Sequence, residues 1–256
     1  MMHSEQMIVP RGILLRRFLL APTFWPVCFG CYMALRIATL FIQPLEQSSD
    51  FLWYYQRAME IASGAGYADG GVLTAFWPVG WPGFLGILFT LAGPSALSGQ
   101  IANLIFSMGV FVLTAMLGSA IFRDQLVGRV AVLILTFYPN QIGYVPLLST
   151  EVFYQFLLLL IVFLLIQDRL LTTLLAGILF GMASLTKTQT LLIPLLILPC
   201  MLAAAPSLQS LRKAVKTIAL IYAMIVPLDL SQLHRVPCFC PNIHERRLDA
   251  GDRQQS

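Results

Sequence analysis

Asp50, Glu151 and Lys187 are the side chains of this sequence best placed to do chemistry. Each stands at the edge of an apolar segment: Asp50 follows one, Glu151 opens another after Ser149 and Thr150, and Lys187 sits in SLTKTQT between two more. A carboxylate beside an incoming hydroxyl can act as general base, and a lysine can pair with a phosphate as it leaves. Each residue also has a plainer reading. Both acids stand where a helix would begin, a position that favours carboxylates through the helix dipole alone, and Lys187 suits a solvated turn.

The segment that must hold Asp50 runs to Pro82, SDFLWYYQRAMEIASGAGYADGGVLTAFWPVGWP, and is the only long interval in the first 200 residues too polar to cross a bilayer. Apolar residues at Leu52, Tyr55, Met59 and Ala62, with Gln56, Arg57 and Glu60 between them, give the period of a helix lying on a membrane surface. Gly64, Gly66, Gly70 and Gly71 then break it. Trp77, Pro78, Trp81 and Pro82 follow, aromatic rings of the kind that settle at headgroup depth, stiffened by prolines.

Composition sets the wider frame. Of 256 residues, 58% are hydrophobic and only 11% charged, with a mean hydropathy of +0.79. A soluble domain carries roughly 25% charged residues, so the expected fold is all-α, a polytopic transmembrane bundle. The net charge of +4 is better read by position than by sum, and it does not suggest nucleic acid. Cys28 and Cys31 form a CxxC inside an apolar helix with no partner pair, which suits packing better than a metal. The long run after Arg16 and Arg17 lacks a clear cleavage site and is expected to remain as an anchor.

Arg11, Arg16 and Arg17 precede an apolar stretch from Phe18 to Ile42, which puts residues 1–17 in the cytoplasm and the loop 45–82 outside. Arg36, near the outer end of that stretch, is expected to snorkel to the headgroups. Further apolar segments cover Ser98–Phe122, Val127–Leu147, Val152–Ile166, Leu171–Leu185, Leu191–Ala205 and Ala214–Pro227. Gly83 to Gly93 is too short to cross and is expected to lie at the interface. That choice leaves Arg123 and Arg129, Arg169, and the Arg212, Lys213, Lys216 group all in the cytoplasm, with Asp50, Glu151 and Lys187 outside. The count is about seven spans, with an eighth left open. The Tyr138-Pro139-Asn140 and Tyr144-Val145-Pro146 stretches are expected to bend the chain ahead of Glu151.

The order of SD, Tyr54, Ala58, GAGY, TAFWPVGWPGF, YPNQIGY, LLSTE and GILFGMASLTKTQTLLIP resembles the N-terminal membrane module of the GT-C glycosyltransferases. The nearest groups are those similar to protein O-mannosyltransferases and to lipid A aminoarabinose transferases. The resemblance covers roughly residues 10 to 227, within a GT-C-like module at 18–227. It implies a sugar on a polyprenyl phosphate as donor, a lipid, glycan or protein acceptor outside the cytoplasm, and inversion at the anomeric carbon. It implies the inner (plasma) membrane of a bacterium as location. It assigns Asp50 as catalytic base, and Glu151 and Lys187 to the donor-phosphate or acceptor site. A lone Asp stands where some relatives have paired acids, so a divalent cation is neither required nor excluded.

After Pro227 the composition turns polar and loses its period. Cys238 and Cys240 with His234 and His244 match no usual zinc ligand set. Read one nucleotide out of frame, Leu228 to His234 can encode WTSRNYT, Ile243 to Arg247 STNGG and Arg253 to Gln255 GNN, clusters that relatives carry in this order. Residues 228–256 are therefore expected to be an out-of-frame, disordered tail, and this copy to insert in the membrane without turning over. Two further readings compete with the transferase. A multi-pass transporter or permease would use Arg36 and Asn103 near mid-membrane, and an inactive remnant would merely insert.

Overall fold

The computed structural model describes residues 11–42, 47–69, 72–74, 76–167, 169–196, 211–212 and 215–223. Of these, 80% are helical, which bears out the all-α class. Nine α-helices can be named in chain order among the described residues: α1 (Arg11–Leu20), α2 (Phe24–Ile42), α3 (Ser49–Ala62), α4 (Gly80–Ala92), α5 (Ala96–Phe122), α6 (Gln125–Thr136), α7 (Pro139–Gly143), α8 (Thr150–Leu165) and α9 (Leu170–Ser184). A small antiparallel hairpin pairs β1 (Ala68–Asp69) with β2 (Val72–Leu73), and a 3-10 turn covers Thr188–Leu192.

Only α2 and α5 are long and apolar enough to cross a membrane, among the described residues. The others fall short of the roughly 20 residues a span needs. Two of the expected segments divide. Phe18–Ile42 is interrupted at Ala21, Pro22 and Thr23, because a proline cannot extend α1 by donating an amide and α2 restarts beyond it. Val127–Leu147 becomes the 12-residue α6, the single turn of α7 and a non-helical run to Leu148. Pro139, at the first position of α7, marks the break. Of the last two apolar segments, residues 191–196 and 215–223 are described, with Ile221 buried in a core; the rest of both, Lys213 and the tail 228–256 lie outside the described residues.

Two cores organise the packing. One gathers Leu19, Phe24, Cys28 and Tyr32 against Val110, Phe111, Val132 and Leu135, joining α1 and α2 to α5 and α6. The other joins α3, α4, α8 and α9 through Ala58, Trp81, Leu85, Phe89, Phe153, Leu157 and Phe180. Helices α5 and α6 approach so closely that a Cβ on Gly128 would meet the Ala115 carbonyl at 2.5 Å. On its other side α5 presents Leu97, Ile101, Ile105, Met108, Val112 and Met116 outward, an apolar stripe at helical spacing.

Charge sorts by end. Arg129 on α6 donates to the Leu19 and Ala21 carbonyls and lies over the rings of Phe24 and Trp25, so the starts of α2 and α6 share an end with Arg16 and Arg17. Antiparallel connections put Arg123 and Arg169 there too. The starts of α3 and α8 and the turn after α9 lie at the opposite end.

Arg36 does not snorkel. It is fully buried, where Nε donates to Ser107 Oγ at 3.0 Å, Nη1 to the Tyr32 carbonyl at 3.1 Å and Nη2 to the Leu135 carbonyl at 3.2 Å. Carbonyls at the end of α6 have no partner within the helix and carry its negative dipole pole, so a buried guanidinium is held there without an acid. Cys28 is buried against Thr136 and Cys31 is exposed, so the CxxC does not face one site.

Candidate functional site

Helix α3 presents Asp50 in its first turn, exposed to solvent, with the Ser49 hydroxyl donating to its Oδ1 at 3.3 Å. On this helix Leu52 and Met59 face outward, Tyr55 packs on Phe89, and Tyr54 and Ala58 face the core. Arg57, expected on the polar face, is instead buried. It pairs with Asp69 of β1 and with Glu60 at 3.6 Å, tying α3 to the hairpin. Trp53, Tyr54, Tyr67, Phe76 and Trp77 build an aromatic cluster around this corner, and the Tyr67 hydroxyl donates to the Trp77 carbonyl at 2.8 Å.

Lys187 and Glu151 meet. Lys187 Nζ donates to Glu151 Oε1 at 3.2 Å, both side chains about 30% exposed, and sits 5.3 Å from the centre of the Tyr154 ring. The Tyr154 hydroxyl shares a hydrogen bond of 2.8 Å with Thr190 Oγ1, which fixes the ring beneath the lysine. Asp50 forms no ion pair with Lys187 among the described residues. Tyr54 is what relates the acids. Burial first, and then the Asp50 and Glu151 carboxylates, push its phenol up to about 12, so one hydroxyl senses both.

The chain ahead of Glu151 needs its own explanation, because residues 144–148 are not helical and Val145, Pro146 and Leu148 among them are buried. Backbone polar groups away from water must be paired, and non-helical chain at membrane depth survives only inside protein. Side chains pair these groups one by one. Asn103 Nδ2 donates to the Val145 and Leu147 carbonyls at 3.3 and 2.7 Å, and Gln100 Nε2 to the Pro146 carbonyl at 2.8 Å. Trp81 Nε1 donates to the Leu148 carbonyl at 2.9 Å, while Gln47 Oε1 accepts from the Leu148 amide at 2.8 Å. Glu151 is therefore aimed by α4, α5 and the residues ahead of α3 together.

Helix α4 abuts the turn that carries Lys187. It spans 13 residues, the short element expected near Gly83 to Gly93, and its first amide, Gly80, donates to the Leu185 carbonyl at 2.6 Å. A Cβ at Gly80 would stand 2.4 Å from Thr186 Oγ1, so glycine is what lets α4 reach the turn holding Lys187.

The three charges are legible in the sequence as rare polar residues at segment ends. Tyr54 as a chemical group, the Arg57 pair and the roles of Gln47, Gln100 and Trp81 are not, although amides within an apolar helix, such as Gln100 and Asn103, are a signal for buried polar partners. Among the described residues no group of three or more acidic, His or Cys side chains is arranged to hold a metal.

No protein-family model, curated protein or solved structure matches this chain.

Proposed function

We propose that this chain is a membrane-embedded glycosyltransferase module of the GT-C kind, carrying the donor-binding and base residues for moving a sugar from a polyprenyl phosphate to a hydroxyl of a lipid, glycan or protein acceptor. Asp50 takes the acceptor proton as its oxygen attacks the anomeric carbon from the face opposite the phosphate. Lys187 offsets charge on the departing phosphate, and Glu151 holds the lysine until the donor arrives. The observation that carries this reading is the 3.2 Å ion pair that joins Glu151, in the first turn of α8, to Lys187, in the turn after α9, at the end of the bundle where α3 begins with Asp50. Charges from three distant parts of the chain share one end of the bundle.

The bilayer supplies the setting. The long α2 and α5, the outward apolar stripe on α5 and the basic opposite end favour a bundle of about seven crossings with the N-terminus in the cytoplasm of a bacterial inner membrane. Against a permease, Arg36 and Asn103 spend their donors on backbone carbonyls rather than lining a path.

Titration of the chain in nanodiscs with a polyprenyl-phosphate sugar tests the proposal. Saturable binding, weakened roughly tenfold by Lys187→Gln, is expected from the loss of one charge-assisted contact. Binding that ignores Lys187, or no binding at all, would refute it.

A further inference from the structure

At the end of the molecule away from Asp50 lies a groove of about 470 Å³, lined by Met116, Ser119 and Ala120 of α5, Phe163 of α8, and Arg123, Asp124 and Gln125 at the turn into α6. It is shallow and open to its surroundings, unlike the enclosed clefts that hold small soluble ligands. Its walls are apolar and its rim carries one cation and one anion side by side. No ion pair engages either residue among the described ones, and Asp124 Oδ1 accepts only from the Leu126 amide at 2.8 Å. Arg129, the next cation along, is turned away toward the carbonyls of Leu19 and Ala21.

The depth of the groove identifies its occupant. Helix α5 has 27 residues, a length of about 40 Å at 1.5 Å per residue, against a hydrocarbon core of about 30 Å. With its first turn beside the candidate site, its last turn reaches the headgroups of the other leaflet. A groove there meets acyl chain along Met116, Ala120 and Phe163, and meets a headgroup at residues 123 to 125. An anionic headgroup would satisfy Arg123 and be repelled by Asp124. A zwitterionic one with a free ammonium satisfies both.

We propose that this groove binds a phospholipid with a primary ammonium headgroup, its phosphate on Arg123 and its ammonium on Asp124. The inference rests on the membrane placement given above but not on the transferase chemistry.

Two substitutions separate the charges while sparing the backbone. Arg123 has φ of 52°, a left-handed conformation that asparagine tolerates, so Arg123→Asn removes the cation without new strain. Asp124 is the N-cap of α6, and asparagine caps as well as aspartate, so Asp124→Asn removes only the charge. The full chain, extracted in mild detergent, would be given equal amounts of phosphatidylethanolamine, phosphatidylcholine and phosphatidylglycerol, and retained lipid counted by native mass spectrometry. Wild type is expected to favour phosphatidylethanolamine; Asp124→Asn should lose that preference, and Arg123→Asn should lower all retention roughly tenfold. Equal retention of the three lipids by wild type, or indifference to both substitutions, would overturn the proposal. So would a membrane-extracted chain that keeps no lipid, which would show the groove covered by other parts of the chain. A chain that never fractionates with membranes would instead defeat the membrane placement itself.

Discussion

Lys187 and Glu151, 36 positions apart, stand 3.2 Å from each other at the end of the bundle that also holds Asp50. Exposed pairs of this kind stabilise a fold by about 0 to 1 kcal/mol, too little to account for holding two elements together. On the proposed reading the pair serves binding more than folding. Lys187→Gln should leave the melting temperature within a few degrees of wild type while weakening polyprenyl-phosphate binding. A melting temperature that collapses with the substitution would assign the lysine to structure.

Asn103 has the opposite profile. Replacing it by leucine keeps its bulk but leaves the Val145 and Leu147 carbonyls without their donor, at about 1 to 3 kcal/mol for each buried group. Asn103→Leu is expected to lower thermal stability clearly and to loosen the approach to Glu151. Hydrogen exchange at residues 144 to 150 reports the second effect, and unchanged exchange there would show that Gln100 and Trp81 hold the turn unaided.

How far these relationships could be read from sequence depends on their range. The helix that starts beside Asp50 was legible because its period is local, and the short element near Gly83 because its apolar run falls below the length of a span. Asp50, Glu151 and Lys187 were legible as rare charges at segment ends. Hydropathy could not show that Val127–Leu147 divides, since an apolar run reads alike whether helical throughout or broken and clamped by amides from another helix. Arg36 failed for a related reason. Its partners, Ser107 and the Leu135 carbonyl, are contributed by distant segments and one of them is backbone, so no acid in the sequence announced a buried guanidinium.

The burial of Arg36 predicts its own signature. Arg36→Met should destabilise the bundle by about 2 to 4 kcal/mol, because the end of α6 and the Ser107 hydroxyl lose a shared donor. Arg36→Lys should recover only part of this, a point charge being unable to span the same acceptors. Thermal unfolding in detergent measures both. Labelling at Arg36→Cys with a water-soluble thiol reagent adds a positional check: protection is expected, and rapid labelling would restore the snorkelling arrangement.

Gly80 offers a steric test of the site. Its would-be Cβ lies 2.7 Å from the Leu185 carbonyl oxygen as well as close to Thr186, and the carbonyl, being backbone, cannot rotate away. Gly80→Ala should push α4 from the turn that carries Lys187. Donor binding should fall with it, while Gly30→Ala, where a Cβ meets nothing within 4 Å, should change neither binding nor stability. Equal effects from the two alanines would mean that close approach of α4 is not what positions the lysine.

Tyr54 ties the two carboxylates to a pH dependence whose direction is fixed. Its phenol is raised from 10.0 to about 12 by burial and by the Asp50 and Glu151 charges, so the folded chain holds this proton more tightly than the unfolded chain does. The stability linked to it is fully present below pH 10 and is lost as pH rises through about 12. Tyr54→Phe should remove part of the alkaline loss of stability between those values, leaving the remainder to groups such as Tyr67, which burial also raises. Asp50→Asn should shift the Tyr54 titration toward lower pH, since one of the charges opposing ionisation is gone. Ultraviolet difference titration of the tyrosinate band, wild type against each variant, reads this directly. A Tyr54 titration unmoved by Asp50→Asn would separate Asp50 from this hydroxyl and so from Glu151, and would leave Lys187 without the base that the proposed transfer needs.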